Sequence, residues 1–150
     1  MENKVLIAVD LSENSLKAVD YVGNMMVHHP SVAITLLNVI REPSPDVMPD
    51  EFEREAYVKK MKEDTLRHMQ EAARRLVARG IAEKNIQIKL HVCKKLVSVA
   101  DLVLQEAKEG QYHTVVVGRR GVSKKEEFLF GSISKKVVGE AKDCAVWVIE

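Results

Sequence analysis

At 150 residues, 46% hydrophobic and 30% charged, the chain suits one globular domain with a full core. Its formal net charge of +1 argues against a nucleic-acid binder or an acidic-membrane binder. Two cysteines without Cys-x-x-Cys or Cys/His ligand spacing argue against a disulfide framework and a zinc centre.

Apolar runs alternate with helical periodicity along the chain, the pattern of βαβ units. Val5–Val9 reads as a first buried strand. It is too short and wrongly flanked for a signal peptide, and no other stretch reaches transmembrane length, so a cytoplasmic location is expected. Ser12 is placed to cap a helix, with Glu13 favourable in its first turn. Leu16, Val19, Val22 and Met26 share one face of that helix, which His28-His29-Pro30 stops. The adjacent histidines point in different directions and read as a solvated helix end, not a metal site. Val32–Ile40 is a second strand, and Arg41–Asp50, with three of the four prolines, is a loop.

A long helix is expected from Asp50-Glu51, with Phe52, Val58, Met61, Met69, Ala72 and Leu76 on its buried side and Gly80 just past its end. Ile86–Val92 is a third strand. Ser98–Glu109 is a helix with Val99, Val103 and Ala107 inward, closed by Gly110. Thr114–Val117 is a fourth strand. Ile133, Val137, Val138 and Ala141 make the last helical stripe, and Ala145–Ile149 is a fifth strand. Cys93 and Cys144 both fall in or beside strands and are expected to be buried, reduced thiols. With no repeat or linker, residues 1–150 form one doubly wound α/β domain. Its ligand belongs beyond the carboxyl ends of the strands, in the loops after strands one, two and four.

Three of the seven glycines lie in the last of these loops, at Gly118, Gly121 and Gly131. A strand breaking into a glycine-rich basic loop and then a helix suits a phosphate, since free N–H groups and the helix dipole point at it. The same glycines serve a purely structural turn equally well. The spacing is not that of a Walker A loop, and Asp10-Leu11-Ser12 has no glycine for a dinucleotide fingerprint. Residues 1–75 carry a charge of −3 and residues 76–150 one of +4, which suits an anion near the glycines and also a random scatter of surface charge. Arg119, Arg120, Lys124 and Lys125 could reach a phosphate, but Glu126 and Glu127 follow directly and screen them.

The pattern Gly118-x2-Gly121-x9-Gly131-Ser132 resembles the ATP-binding motif of the universal stress protein family, and the likeness covers the whole chain. Val-Leu-Ile-Ala-Val-Asp10, Leu-Leu-Asn-Val39, the Gly-Ser-Ile-Ser-Lys-Lys-Val-Val run from Gly131 and the closing Cys-Ala-Val-Trp-Val-Ile all have family counterparts. The resemblance implies a five-stranded parallel sheet in the order 3-2-1-4-5, like the adenine nucleotide alpha hydrolases, and membership of the branch that keeps the glycines and binds ATP, with Mg²⁺ alongside. It places Ala8, Val9 and Asp10 near adenine and ribose, and backbone groups of Val39 on the adenine. Val117, Gly118, Arg119 and Gly121 would flank the ribose and α-phosphate, and Gly131, Ser132, Ile133 and Ser134 the outer phosphates. It also implies a homodimer through strand 145–149, with Trp147 as the anchor; the alternative is an edge covered by the chain's own helices. Two departures stand out: Cys93-Lys94-Lys95-Leu96 replaces a Gly-Asp-Pro-like turn, and Ala145 replaces a proline. No general base is placed to activate water, so the expected role is regulatory, with nucleotide state biasing conformation or partner choice. A slow Mg-dependent ATP hydrolase and a stress protein acting through protein contacts alone are the alternatives.

Overall fold

Val5, Leu6 and Ile7 are each at most 1% exposed, although successive side chains of a strand point to opposite faces. Both faces of the first strand are therefore covered, which is why its sequence reads as an unbroken apolar run. The computed structural model describes residues 3–94, 97–119 and 132–150. In chain order its elements are β1 (Lys4–Ala8), α1 (Glu13–Met26), β2 (Ala33–Arg41), α2 (Glu51–Ala78), a 3₁₀ turn (Glu83–Asn85), β3 (Ile86–Cys93), α3 (Val99–Glu109), β4 (Thr114–Gly118), α4 (Ser132–Glu140) and β5 (Ala145–Ile149). All pairings are parallel and the sheet order is β3-β2-β1-β4-β5, the expected 3-2-1-4-5.

Val5, Ile7 and Val9 face one core with Leu16, Val19 and Val22 of α1 and Met69, Ala72 and Leu76 of α2. Leu6 faces the other, with Ala100, Val103 and Ala107 of α3 and Val137 of α4. Two helices thus cover each face, as doubly wound sheets require. The helix starts follow the capping residues: Ser12 accepts from Ser15 N–H, Asp50 from Phe52 and Glu53 N–H, and Ser98 from Asp101 N–H. Gly80 follows α2 at φ +103°, a left-handed position that favours glycine. Tyr112 Oη donates to Thr35 Oγ1 at 2.8 Å inside the second core. Nearby, Lys89 on the edge strand β3 pairs with Glu106 of α3 at 2.6 Å, and that hydrogen bond raises the lysine pKa.

The structure corrects two helical stripes and one thiol. In α2 only Thr65, Met69, Ala72 and Leu76 are buried; Phe52 is 83% exposed, and Val58 and Met61 are half-buried. In α4 the buried residues are Ser134 and Val137, while Ile133 and Val138 are exposed. Cys93 is buried as expected, but Cys144 is only half-buried; burial, then the neighbouring Asp143, pushes its thiol pKa up. The replaced turn at Cys93-Lys94-Lys95-Leu96 lies partly outside the described residues, at Lys95 and Leu96.

Candidate functional site

The chain runs outward from β1 to β2 to β3, then returns to the other side of β1 with β4. The carboxyl ends of β1 and β4 therefore diverge into loops that leave in opposite directions. This topological switch point opens a crevice in such sheets, and a cavity of about 150 Å³ lies there.

Its β1 wall is built by an unusual strand exit. Val9 has left the strand, yet its N–H donates to Leu37 O at 2.8 Å. Its carbonyl accepts from the buried Asn38 Nδ2 at 2.6 Å. The next residue, Asp10, is locked by the start of α1. Its Oδ1 accepts from Ser12 N–H at 2.8 Å, from Ser15 Oγ at 2.7 Å and from the Ser12 hydroxyl. Its own N–H donates to Ser15 Oγ at 2.9 Å. The β4 wall ends at Val117 and Gly118, and Arg119 N–H continues the sheet by donating to Ile149 O at 2.8 Å. Val99 and Val103 of α3 and Ile133 and Ser134 of α4 close the remaining sides. The result is an apolar slot with a few convergent polar groups, the ordinary make-up of a small-molecule site.

Ala8, Val9, Asp10, Val39, Val117, Gly118, Arg119, Ile133 and Ser134 all line this one cavity. Gly121 and Gly131 lie outside the described residues, as do Arg120, Lys124 and Lys125. Ser132 is exposed at the start of α4 and is not part of the lining. Arg119 lines the cavity, but its guanidinium pairs with Glu150 at 3.0 Å. Five lining residues were not picked out as site residues from sequence: Ser15, Leu37, Asn38, Val99 and Val103. Two carried a signal, since Asn38 interrupts an apolar run and Ser15 completes the spacing Asp10-x-Ser12-x-x-Ser15. Asp10 is the sole carboxylate in the described lining, and among the described residues no group of three or more His, Cys, Asp and Glu could hold a metal. A larger hollow of about 600 Å³ lies beside the start of α2, but none of its lining residues is buried.

The model of the universal stress protein family matches residues 1–150. The chain is 27% identical to universal stress protein YxiE of Bacillus subtilis (strain 168), over 99% of each protein. Universal stress protein UspA from Lactobacillus plantarum has a similar structure, with a TM-score of 0.80 at 18% identity, covering 99% of this chain and 97% of that one. A family member from Arabidopsis thaliana with AMP bound has a TM-score of 0.65 at 19% identity, covering 98% and 90% of the two chains. A universal stress protein from Archaeoglobus fulgidus in complex with dAMP has a TM-score of 0.63 at 16% identity, covering 98% and 97%. Another universal stress protein, in complex with cAMP, has a TM-score of 0.65 at 22% identity, covering 99% and 96%.

Proposed function

The chain belongs to the universal stress protein family, and we propose that it is a regulatory member holding ATP, with Mg²⁺, in the cavity between β1, β2 and β4. The observation that carries this reading is the convergence of nine motif residues, from positions 8 to 134, on one slot at the switch point of the sheet. Family members with AMP, dAMP or cAMP bound support the adenine nucleotide as the ligand class. The residues present suit that ligand. Apolar walls from Val9, Val39, Val99 and Val117 would sandwich a base, backbone groups of Val39 would meet its edge, and Asp10 would take a sugar hydroxyl. The N-terminus of α4, with Ser132 and Ser134, would face the phosphates, together with Gly121 and Gly131.

When bound, Mg²⁺ would screen the charge of the phosphates; with Asp10 the sole carboxylate in the described lining, the ion would be held chiefly by the nucleotide. Asp10 is engaged through Oδ1 by Ser12 and Ser15 and in this reading would lie on the sugar side of the slot, which favours holding over hydrolysis. A cytoplasmic location belongs to the same reading. So does a homodimer through β5, supported by its place at the sheet edge and by four consecutive half-buried apolar residues, Val146 to Ile149.

Thermal unfolding with and without Mg-ATP tests the nucleotide. At about 100 times Kd the ligand contributes about 2.7 kcal/mol, roughly 5–10 °C for a domain of this size. Val99→Trp, which fills the slot from α3, should keep the fold and lose the shift. No shift of the native protein at millimolar ATP would overturn the reading.

A further inference from the structure

We infer that Ser15 is a positioning residue that sets this pocket's preference for ribose over deoxyribose, an inference that rests on the nucleotide reading above. Ser15 is 5% exposed and sits in the first turn of α1, against the cavity. Its hydroxyl is used in both directions by one neighbour. The oxygen accepts Asp10 N–H at 2.9 Å, and the single proton goes to Asp10 Oδ1 at 2.7 Å. Ser12 adds its N–H at 2.8 Å and its hydroxyl to the same oxygen, and Ser12 Oγ accepts Ser15 N–H at 3.3 Å. The hydrogen bonds that the carboxylate accepts within the described residues thus all land on Oδ1.

Two consequences follow from counting donors and lone pairs. Ser15 has no proton left for a ligand, so it acts through Asp10. Oδ1 is saturated by three donors, so Oδ2 is the carboxylate oxygen left for the cavity, in an orientation that Ser15 fixes from inside the fold together with Ser12. An ionised oxygen of this kind only accepts. It rewards a sugar hydroxyl, and a ligand bearing hydrogen at that carbon leaves it unpaired in a partly desolvated slot. Family members are found with AMP and with dAMP, so the fold as such admits either sugar. Without Ser15, Oδ1 keeps only its two bonds from Ser12 and the backbone of Asp10 loses its own anchor, so Oδ2 is less firmly held and the two sugars become more alike.

The test is calorimetric titration of the full chain with Mg-ATP and with Mg-2′-deoxy-ATP. The native protein should prefer the ribonucleotide by about 10-fold, the value of one charged hydrogen bond. Ser15→Ala should bring that ratio below about threefold, and Ser15→Thr, which keeps the hydroxyl, should retain it. Should the alanine variant fail to fold, Ser15→Cys, with its weak donor, serves in its place and should also lower the ratio. A merely structural role would weaken both nucleotides together and leave the ratio unchanged in the alanine or cysteine variant, which overturns the inference. Equal affinities in the native protein overturn it too, while leaving the nucleotide reading intact. Binding of neither nucleotide overturns the nucleotide reading itself and this inference with it.

Discussion

Asn38, inside β2, holds the exit of β1 just past the last rung of the β1–β2 ladder. Its amide donates to Val9 O across 29 positions of sequence, in a buried place where no water competes. Replacing it with leucine keeps the size and removes the donor, leaving a buried carbonyl unpaired. Asn38→Leu should therefore cost about 1–3 kcal/mol, read as a lower urea midpoint at unchanged slope. This residue also marks where sequence reading stops. Asp10 was legible because it sits where an apolar run ends, a position defined locally, whereas Val39, inside its run, came only with the family likeness. Asn38 and Ser15 were visible as polar residues, but what they bond to is set by tertiary pairing. Arg119 makes the same point: its charge was evident, whereas its engagement with Glu150, 31 positions on, was not.

At the scale of elements, α2 departs furthest from its pattern. Its 28 residues span about 42 Å at 1.5 Å each, longer than the strands it crosses. The half from Thr65 onward packs on β2, β3 and α1, and the half from Glu51 to Asp64 contains no buried residue. The imperfect spacing of its apolar residues recorded this division, since nothing requires a stripe where no core lies beneath. In α4 the inward face is set by Ser134 and Val137, so a search for apolar residues alone finds Val137, misses Ser134 and adds the exposed Ile133 and Val138. The overhanging half of α2 depends on its cap, where Asp50 Oδ1 accepts Phe52 N–H at 2.8 Å. Asp50→Ala, a loss of about 1 kcal/mol at the helix start, should speed amide exchange over residues 51–64. Residues 65–78 should stay protected and the urea midpoint should hold; equal protection of both halves in the native protein would count against an independent overhang.

At the scale of the molecule, alternating strand and helix signals were enough for the doubly wound class, because each is written in a local period. The strand order came with the family likeness, since pairing is non-local. The edges show why that matters. Nothing within Ala145–Ile149 says that β5 ends the sheet, yet that position leaves its outer side for a second strand. Trp147, expected as an anchor between two copies, meets its own chain's Tyr21 edge to face at 6.0 Å. In a homodimer the neighbouring Val146 and Val148, both half-buried, would share the work. Light scattering at micromolar concentration should give twice the chain mass, and Val148→Lys should give one; a native monomer would remove β5 as an interface.

The central place of β1 also has a cost during synthesis. Its first partner, β2, follows within about 30 residues, but the pairing of Val5 with Thr114 needs about 110 more to be made. At about 5–20 residues per second, the nascent chain carries β1 with one open side for roughly 5–20 s. The slot beside it closes later still, once α4 has left the ribosome. A ligand of that slot would therefore meet a finished fold and could not guide the growing polypeptide.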